Sequence, residues 1–248
     1  MLPPRVLVVQ HGTSEGPDRL GTWLTDAGLR LELVHPYAGE TLPSALSDHD
    51  GLLVLGGPQA AYPDEHGTPG APWLSATRAL LRTAVDSATP TLAIGLGAQL
   101  LAQACGGRVQ PGSKGTEYGA QLVARRDAAA QDELFGLVPF TPDVIGWHSD
   151  EIVDLPPGAV LLASGTTYPH QAFRVGQRAW GLQFHIETTP GQVAEWAERL
   201  RARTAGVDRD VDGDVASILA RAMAVHDDLE RVWRPVAERF AALVGCAS

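Results

Sequence analysis

The chain has 248 residues, a net charge of −10 at pH 7 and 44% apolar residues, which fits one large or two small globular domains and not a disordered chain. The acidic balance excludes a clustered Lys/Arg footprint for nucleic acid. Two cysteines, Cys105 and Cys246, are too few for a disulfide framework and form no C-x-x-C spacing, so no metal and no cofactor is expected.

In chain order, RVLVVQ (5–10) reads as a strand. The apolar run in MLPPRVLVVQHG is too short for a signal core or a membrane span, so a cytoplasmic protein with no membrane partner is expected. Arg19 to Gly28 reads as a helix ended by glycine, and LRLELVHP as a strand stopped by Pro36. DGLLVLGGP (50–58) is a continuous apolar run into a glycine turn, the pattern of a strand covered on both faces. Pro72 to Ser87 reads as a helix, TLAIGLG as a strand, and AQLLAQACGG as the helix after it. This β–α alternation predicts an open, mostly parallel α/β sheet with helices on both faces and ligands beyond the carboxyl ends of its strands.

From Arg108 to Arg178 the runs become short and punctuated by Pro and Gly, predicting mixed or antiparallel strands added to that sheet. AWGLQFHIETTP (179–190) reads as a late strand, followed by a helix from Gly191 to Arg203. After TAGVDRDVDGD, helical apolar spacing runs through Val215, Leu219, Leu229, Trp233, Val236 and Phe240, with Pro235 expected to break or kink it. The aspartates of that loop read as a solvated linker with a helix cap, since the glycine and terminal Glu of a calcium loop are misplaced.

Three stretches carry chemistry. AIGLGAQLLA has the form of a nucleophile elbow, a tight strand-to-helix turn with small neighbours whose following N–H groups open a helix. The same glycines also fit an ordinary βα turn. GLQFHIE puts His185 and Glu187 two residues apart, on one face of a strand, where the carboxylate would fix the tautomer and suit the imidazole to act as a general base; a strand-end histidine satisfied by a surface glutamate fits the same pattern. VLGGP leaves the N–H groups of Gly56 and Gly57 unobstructed after a buried strand, in the manner of an oxyanion hole, and equally fits an ordinary glycine turn.

Together these stretches resemble the class I (triad-type) glutamine amidotransferase family, in its stand-alone, guanylate-synthetase-like branch. The family's elbow G-I-C-L-G-x-Q corresponds to Ala93-Ile94-Gly95-Leu96-Gly97-Ala98-Gln99, its G-x-Q-F-H-P-E to Gly181–Glu187, and its G-G-P to Gly56-Gly57-Pro58. WHSDEIVDLPPGAVLLASG and HQAFRVG resemble flanking segments of the same branch. The resemblance covers about residues 5 to 200 and implies a flavodoxin-like amidotransferase domain over 1–204. Residues 205–248 are then a helical extension packed on it.

The resemblance further implies a catalytic pair His185 and Glu187, oxyanion donors at Gly57 and Leu96, and substrate contacts at Gly56, Gln99, Glu117 and His148. The implied ligand is glutamine or a γ-glutamyl amide. The nucleophile position holds Gly95, which supplies no nucleophile. Cys105 does not stand in, because roughly 15 Å of helical rise separates it from the apex. Three explanations stay open: an inactivating Cys-to-Gly substitution in an amidase, a natural non-catalytic binding or regulatory subunit, or other chemistry by His185 and Glu187. The residues after 200 are too few for a synthetase domain, so either a separate synthetase subunit or action alone on a small γ-glutamyl amide is expected.

Overall fold

The computed structural model describes residues 2–63, 70–204 and 211–246. Its first half alternates strand and helix: β1 (Arg5–Val9), α1 (Asp18–Asp26), β2 (Arg30–Val34), β3 (Gly51–Val54), α2 (Leu74–Asp86), β4 (Thr91–Ile94) and α3 (Leu96–Ala104). The second half brings β5 (Arg108–Pro111), β6 (Glu117–Leu122), β7 (Ala124–Arg125), β8 (Asp143–His148), β9 (Asp150–Asp154), β10 (Val160–Ser164), β11 (Ala172–Val175) and β12 (Ala179–Leu182). Three helices follow, α4 (Pro190–Thr204), α5 (Val211–Ala224) and α6 (His226–Gly245).

The eight-stranded sheet runs β2-β1-β3-β4-β12-β11-β10-β7. It is parallel from β2 to β12 and antiparallel from there to β7. Every residue of the central strands β3, β4 and β12 is buried, as the continuous apolar runs require. The edge strand β2 is partly exposed and polar, and its Glu32 takes two hydrogen bonds from Arg5, at 2.9 and 2.7 Å.

Strand alternation divides the core between two faces. Val6, Val8, Leu53 and Ile94 pack with Leu20, Trp23 and Leu24 of α1 and with Trp233, Val236 and Phe240 of α6. Leu7, Val9, Leu52, Val54 and Ala93 pack with Leu80, Leu81 and Ala84 of α2 and Leu100 and Leu101 of α3. Helix α3 approaches the sheet closely at Gly97, where a Cβ would lie 2.3 Å from the Val54 carbonyl oxygen. Among the described residues, no helix is long and apolar enough to cross a membrane.

Several expectations need correction. The middle strands do not all join the sheet: β5 pairs with β9, and β6 with β8, as separate two-stranded ribbons. The late strand ends at Leu182, and His185 makes only an isolated bridge with Ile145. The tail breaks at Val225 between α5 and α6, while Pro235 lies inside α6. Pro235 is exposed, so the carbonyl its ring deprives of a donor can reach water, and buried Trp233, Val236 and Phe240 hold the helix on either side. The aspartate-rich loop lies largely outside the described residues, and Val211 already opens α5.

Two predictions test this packing. Gly97→Ala should cost about 3 kcal/mol in denaturant unfolding, because the new methyl meets a carbonyl that the sheet holds in place. Gly28→Ala, where a positive φ of 92° is the only obstacle, should cost about 1 kcal/mol. Buried His11 accepts the Trp73 indole N–H at Nδ1 (3.0 Å), and burial pushes its pKa down to about 4. Its neutral form is the folded one, so unfolding takes up a proton below pH 6.5. The resulting contribution, about 3 kcal/mol, is complete above pH 6.5 and is lost as pH falls toward 4. Urea midpoints measured across that interval should fall less steeply in His11→Gln than in the parent.

Candidate active site

Strand β4 ends at Ile94, and the chain turns into α3 through Gly95 at φ 55°, ψ −115°. An L side chain is strained there and glycine is not. The Gly95 N–H donates to the Leu182 carbonyl (2.8 Å), and its own carbonyl accepts the Gln99 N–H (3.1 Å). The apex is therefore tied to β12 on one side and to the first turn of α3 on the other. A Cβ built at Gly95 would stand 3.0 Å from Cε1 and 3.3 Å from Nε2 of His185, and 3.4 Å from the Gly56 Cα. The turn after β4, the glycine turn after β3 and the imidazole beyond β12 meet at one point.

His185 is fixed by several contacts. Its backbone exchanges hydrogen bonds with Ile145, at 2.8 and 3.3 Å. Its Nδ1 lies 2.6 Å from Glu187 Oε1, and the other oxygen of that buried carboxylate accepts the Ile186 N–H (2.9 Å). With Nδ1–H donated to the carboxylate, the neutral ring presents the Nε2 lone pair toward the apex. Trp196 meets the ring edge-on, with centroids 4.9 Å apart.

A cavity of about 400 Å³ opens on this point. Of the residues singled out in the sequence, Gly57, Gly95, Leu96, Gln99, His148 and His185 line it. Gly56 does not line it but backs the imidazole, with a Cβ position 3.0 Å from Cε1. Glu117 does not line it either and sits behind His148, its Oε2 2.9 Å from Nε2 in an ion-pair contact that is not an aligned hydrogen bond. Burial alone would raise the Glu117 carboxyl, but His148, Thr167 and Gln171 together hold it below the usual range. His148 Nδ1 is bonded to the Asp150 carbonyl (2.8 Å), and the Tyr62 hydroxyl donates to Asp150 Oδ1 (2.6 Å). Burial pushes the Asp150 carboxyl up, against the Tyr62 hydrogen bond and His148.

The sequence pattern does not single out Glu15, Gln59 or Gln183, which also line the cavity. Glu15 Oε2, Gln59 Oε1 and Gln183 Nε2 are buried without a hydrogen-bond partner among the described residues. Glu15 and Gln59 follow the carboxyl ends of β1 and β3, the rim where sheets of this kind hold ligands, and that rule could have found them. Trp147, Trp196 and Arg199 carry no comparable signal. Cys105 is half-buried at the end of α3, with its thiol pushed up by burial. No group of three metal-ligating side chains occurs among the described residues.

The model of the family described as glutamine amidotransferase class-I matches residues 22–198. The glutamine-hydrolysing GMP synthase of Thermomicrobium roseum is 35% identical over 184 residues, which are 73% of this chain and 31% of that protein. The chain therefore spans about a third of that synthase. The glutamine amidotransferase-like protein YfeJ of Salmonella typhimurium is 30% identical over 185 residues, 75% of this chain and 76% of that one. Among solved structures, a glutamine amidotransferase from Thermotoga maritima superposes with a TM-score of 0.81 at 26% identity, covering 96% of this chain and 98% of that one.

The Glu187 contacts make a stability prediction. Glu187→Ala leaves the His185 Nδ1–H and the Ile186 N–H buried without acceptors and should cost about 3 kcal/mol. Glu187→Gln keeps one acceptor oxygen and should cost about half as much, read from urea unfolding midpoints.

Proposed function

This chain belongs to the class I glutamine amidotransferase family, and from that premise we propose that its cavity recognises glutamine or a γ-glutamyl amide in a site built for thiol acyl chemistry. The observation that carries the reading is the aim of the apex: a side chain at 95 would begin 3.3 Å from His185 Nε2. The name of the matched synthases, glutamine-hydrolysing, supports glutamine as the ligand. The unpartnered atoms of Glu15, Gln59 and Gln183 supply one carboxylate, one carbonyl and one amide donor to a polar amino-acid ligand.

The reaction that this arrangement suits needs a thiol at the apex. His185 Nε2 takes the thiol proton, and the thiolate attacks the γ-amide carbon. The N–H groups of Gly57 and Leu96 receive the oxygen as it gains charge. The imidazolium then returns its proton to the leaving nitrogen, and water resolves the thioester to glutamate. Glu187 holds the imidazole tautomer throughout, and Gln99 with His148 contacts the ligand, His148 being positioned by Glu117. With hydrogen as the side chain of Gly95, the sequence stops at binding.

That stop favours a second reading, a non-catalytic binding or regulatory subunit that keeps the recognition half of the site. A separate synthetase subunit is the partner only for a form with a nucleophile at 95, which would have ammonia to pass on; the alternative for such a form is action alone on a small γ-glutamyl amide.

Gly95→Cys separates recognition from chemistry. The variant should release glutamate and ammonia from glutamine or a γ-glutamyl amide, and His185→Ala in that background should reduce the rate about 10³-fold. It should also be less stable than the parent by about 1–3 kcal/mol, because φ 55° suits glycine. The parent should show a melting-temperature rise with the ligand and no release. The amidotransferase reading fails if no γ-glutamyl compound shifts the parent and the variant releases nothing. Ligand binding by the parent, with a folded but inert Gly95→Cys, decides for the binding subunit.

A further inference from the structure

The cavity is larger than free glutamine fills, and one of its walls is aromatic. From the His185 ring, Trp196 follows at 4.9 Å between centroids, Trp147 at 5.5 Å from Trp196, and Tyr118 at 4.9 Å from Trp147. All four rings line the cavity. They come from separate elements. Trp196 is on α4, its Nε1 anchored on the Ser14 carbonyl (3.2 Å). Tyr118 and Trp147 are direct partners in the β6–β8 ribbon, so they share one face. Trp196 is buried, whereas Tyr118 and Trp147 are half-buried. Arg199, one helical turn beyond Trp196, lines the same cavity, is 45% exposed, and pairs with Glu15 (3.4 Å) and with Glu195 (2.8 Å), so a ligand carboxylate there would share or displace those partners.

The position of this wall follows from the chemistry of an amide. His185 Nε2 is the atom that faces the amide nitrogen, since that nitrogen takes its proton on leaving. A group carried by that nitrogen starts beside His185, and the nearest ring in the series is Trp196, followed by Trp147 and Tyr118. Free glutamine carries only hydrogens there and has no ring to offer those faces. Flat, half-buried aromatic faces next to a guanidinium match a ligand with a ring and a carboxylate.

We infer that the Trp196–Trp147–Tyr118 wall is a subsite for the amine part of the ligand, which is a γ-glutamyl derivative of an aromatic amino acid. Its ring stacks on Trp147 and Tyr118, and its carboxylate pairs with Arg199. The inference rests on the reading of the site as a γ-glutamyl pocket.

Calorimetric titration of the full chain with three probes, glutamine, γ-glutamylglycine and γ-glutamylphenylalanine, tests it. γ-Glutamylphenylalanine should bind at least about tenfold more tightly than either of the others. In Tyr118→Ala and in Trp147→Leu, each checked for folding by circular dichroism, the ratio of its affinity to that of γ-glutamylglycine should fall toward one. Arg199→Gln should weaken both dipeptides and not change their ratio. If glutamine binds but γ-glutamylphenylalanine binds no tighter, or if the ratio survives in folded Tyr118→Ala, the subsite is overturned and the pocket reading stands. If none of the three probes binds, the pocket reading itself falls and the subsite with it.

Discussion

The site depends on one tight passage of backbone, the turn from β4 into α3. It takes φ 55° at Gly95 and lets α3 start immediately above the sheet. The helix then runs so close to β3 that Gly97 faces the Val54 carbonyl with no room for a methyl. This proximity brings the start of α3 beside the glycine turn after β3, so Leu96 and Gly57 from two elements line one cavity. The hydrogen bond from the Gly95 N–H to Leu182 (2.8 Å) adds β12 to the same junction. Three neighbouring parallel strands thus end in register at the point where the cavity begins.

The imidazole reaches that point by a different route. Beyond Leu182 the chain leaves the sheet, and what holds His185 is its bridge to Ile145, its bond to Glu187, and the residue before it. Phe184 is fully buried against Trp233 of α6, with ring centroids 5.2 Å apart. Trp233 in turn donates its indole N–H to the Asp143 carbonyl (3.0 Å) at the start of β8, the strand that ends in Trp147 and His148. One residue of α6, outside the stretch matched by the family model, thereby braces both the His185 segment and the ribbon forming the far wall. The C-terminal helix contributes to the position of the site as well as to the core.

Much of this was legible in the sequence because it rests on local constraints. Continuous apolar runs ending in glycines identified β3 and β4, since a strand covered on both faces has no polar side to reveal. The pairing of His185 with Glu187 is made although the strand ends before them and the chain bends on either side of His185, because the bent segment still brings Nδ1 to 2.6 Å from the carboxylate. What the sequence hid is pairing and facing. The alternating runs between Arg108 and Asp154 announce strands without naming partners: β5, β6, β8 and β9 pair as ribbons outside the main sheet, and β7 alone joins it. Trp196 and Arg199 lie on α4 three residues apart, a spacing equally suited to a core stripe, so nothing local ties them to a cavity. Pro235 does not end its helix because a proline's effect depends on whether its orphaned carbonyl meets water or protein, and periodicity does not report that.

The apex is also where stability and chemistry pull in opposite directions. A side chain at φ 55° carries backbone strain, and its first carbon would press to 3.0 Å from the His185 ring. Any side chain at 95 is held against the imidazole, and it is costly for the same reason. Glycine removes both the strain and the contact while the turn, the His185–Glu187 pair and the cavity keep their geometry. The turn therefore carries its apex glycine without strain, and any side chain placed there meets the His185 ring first.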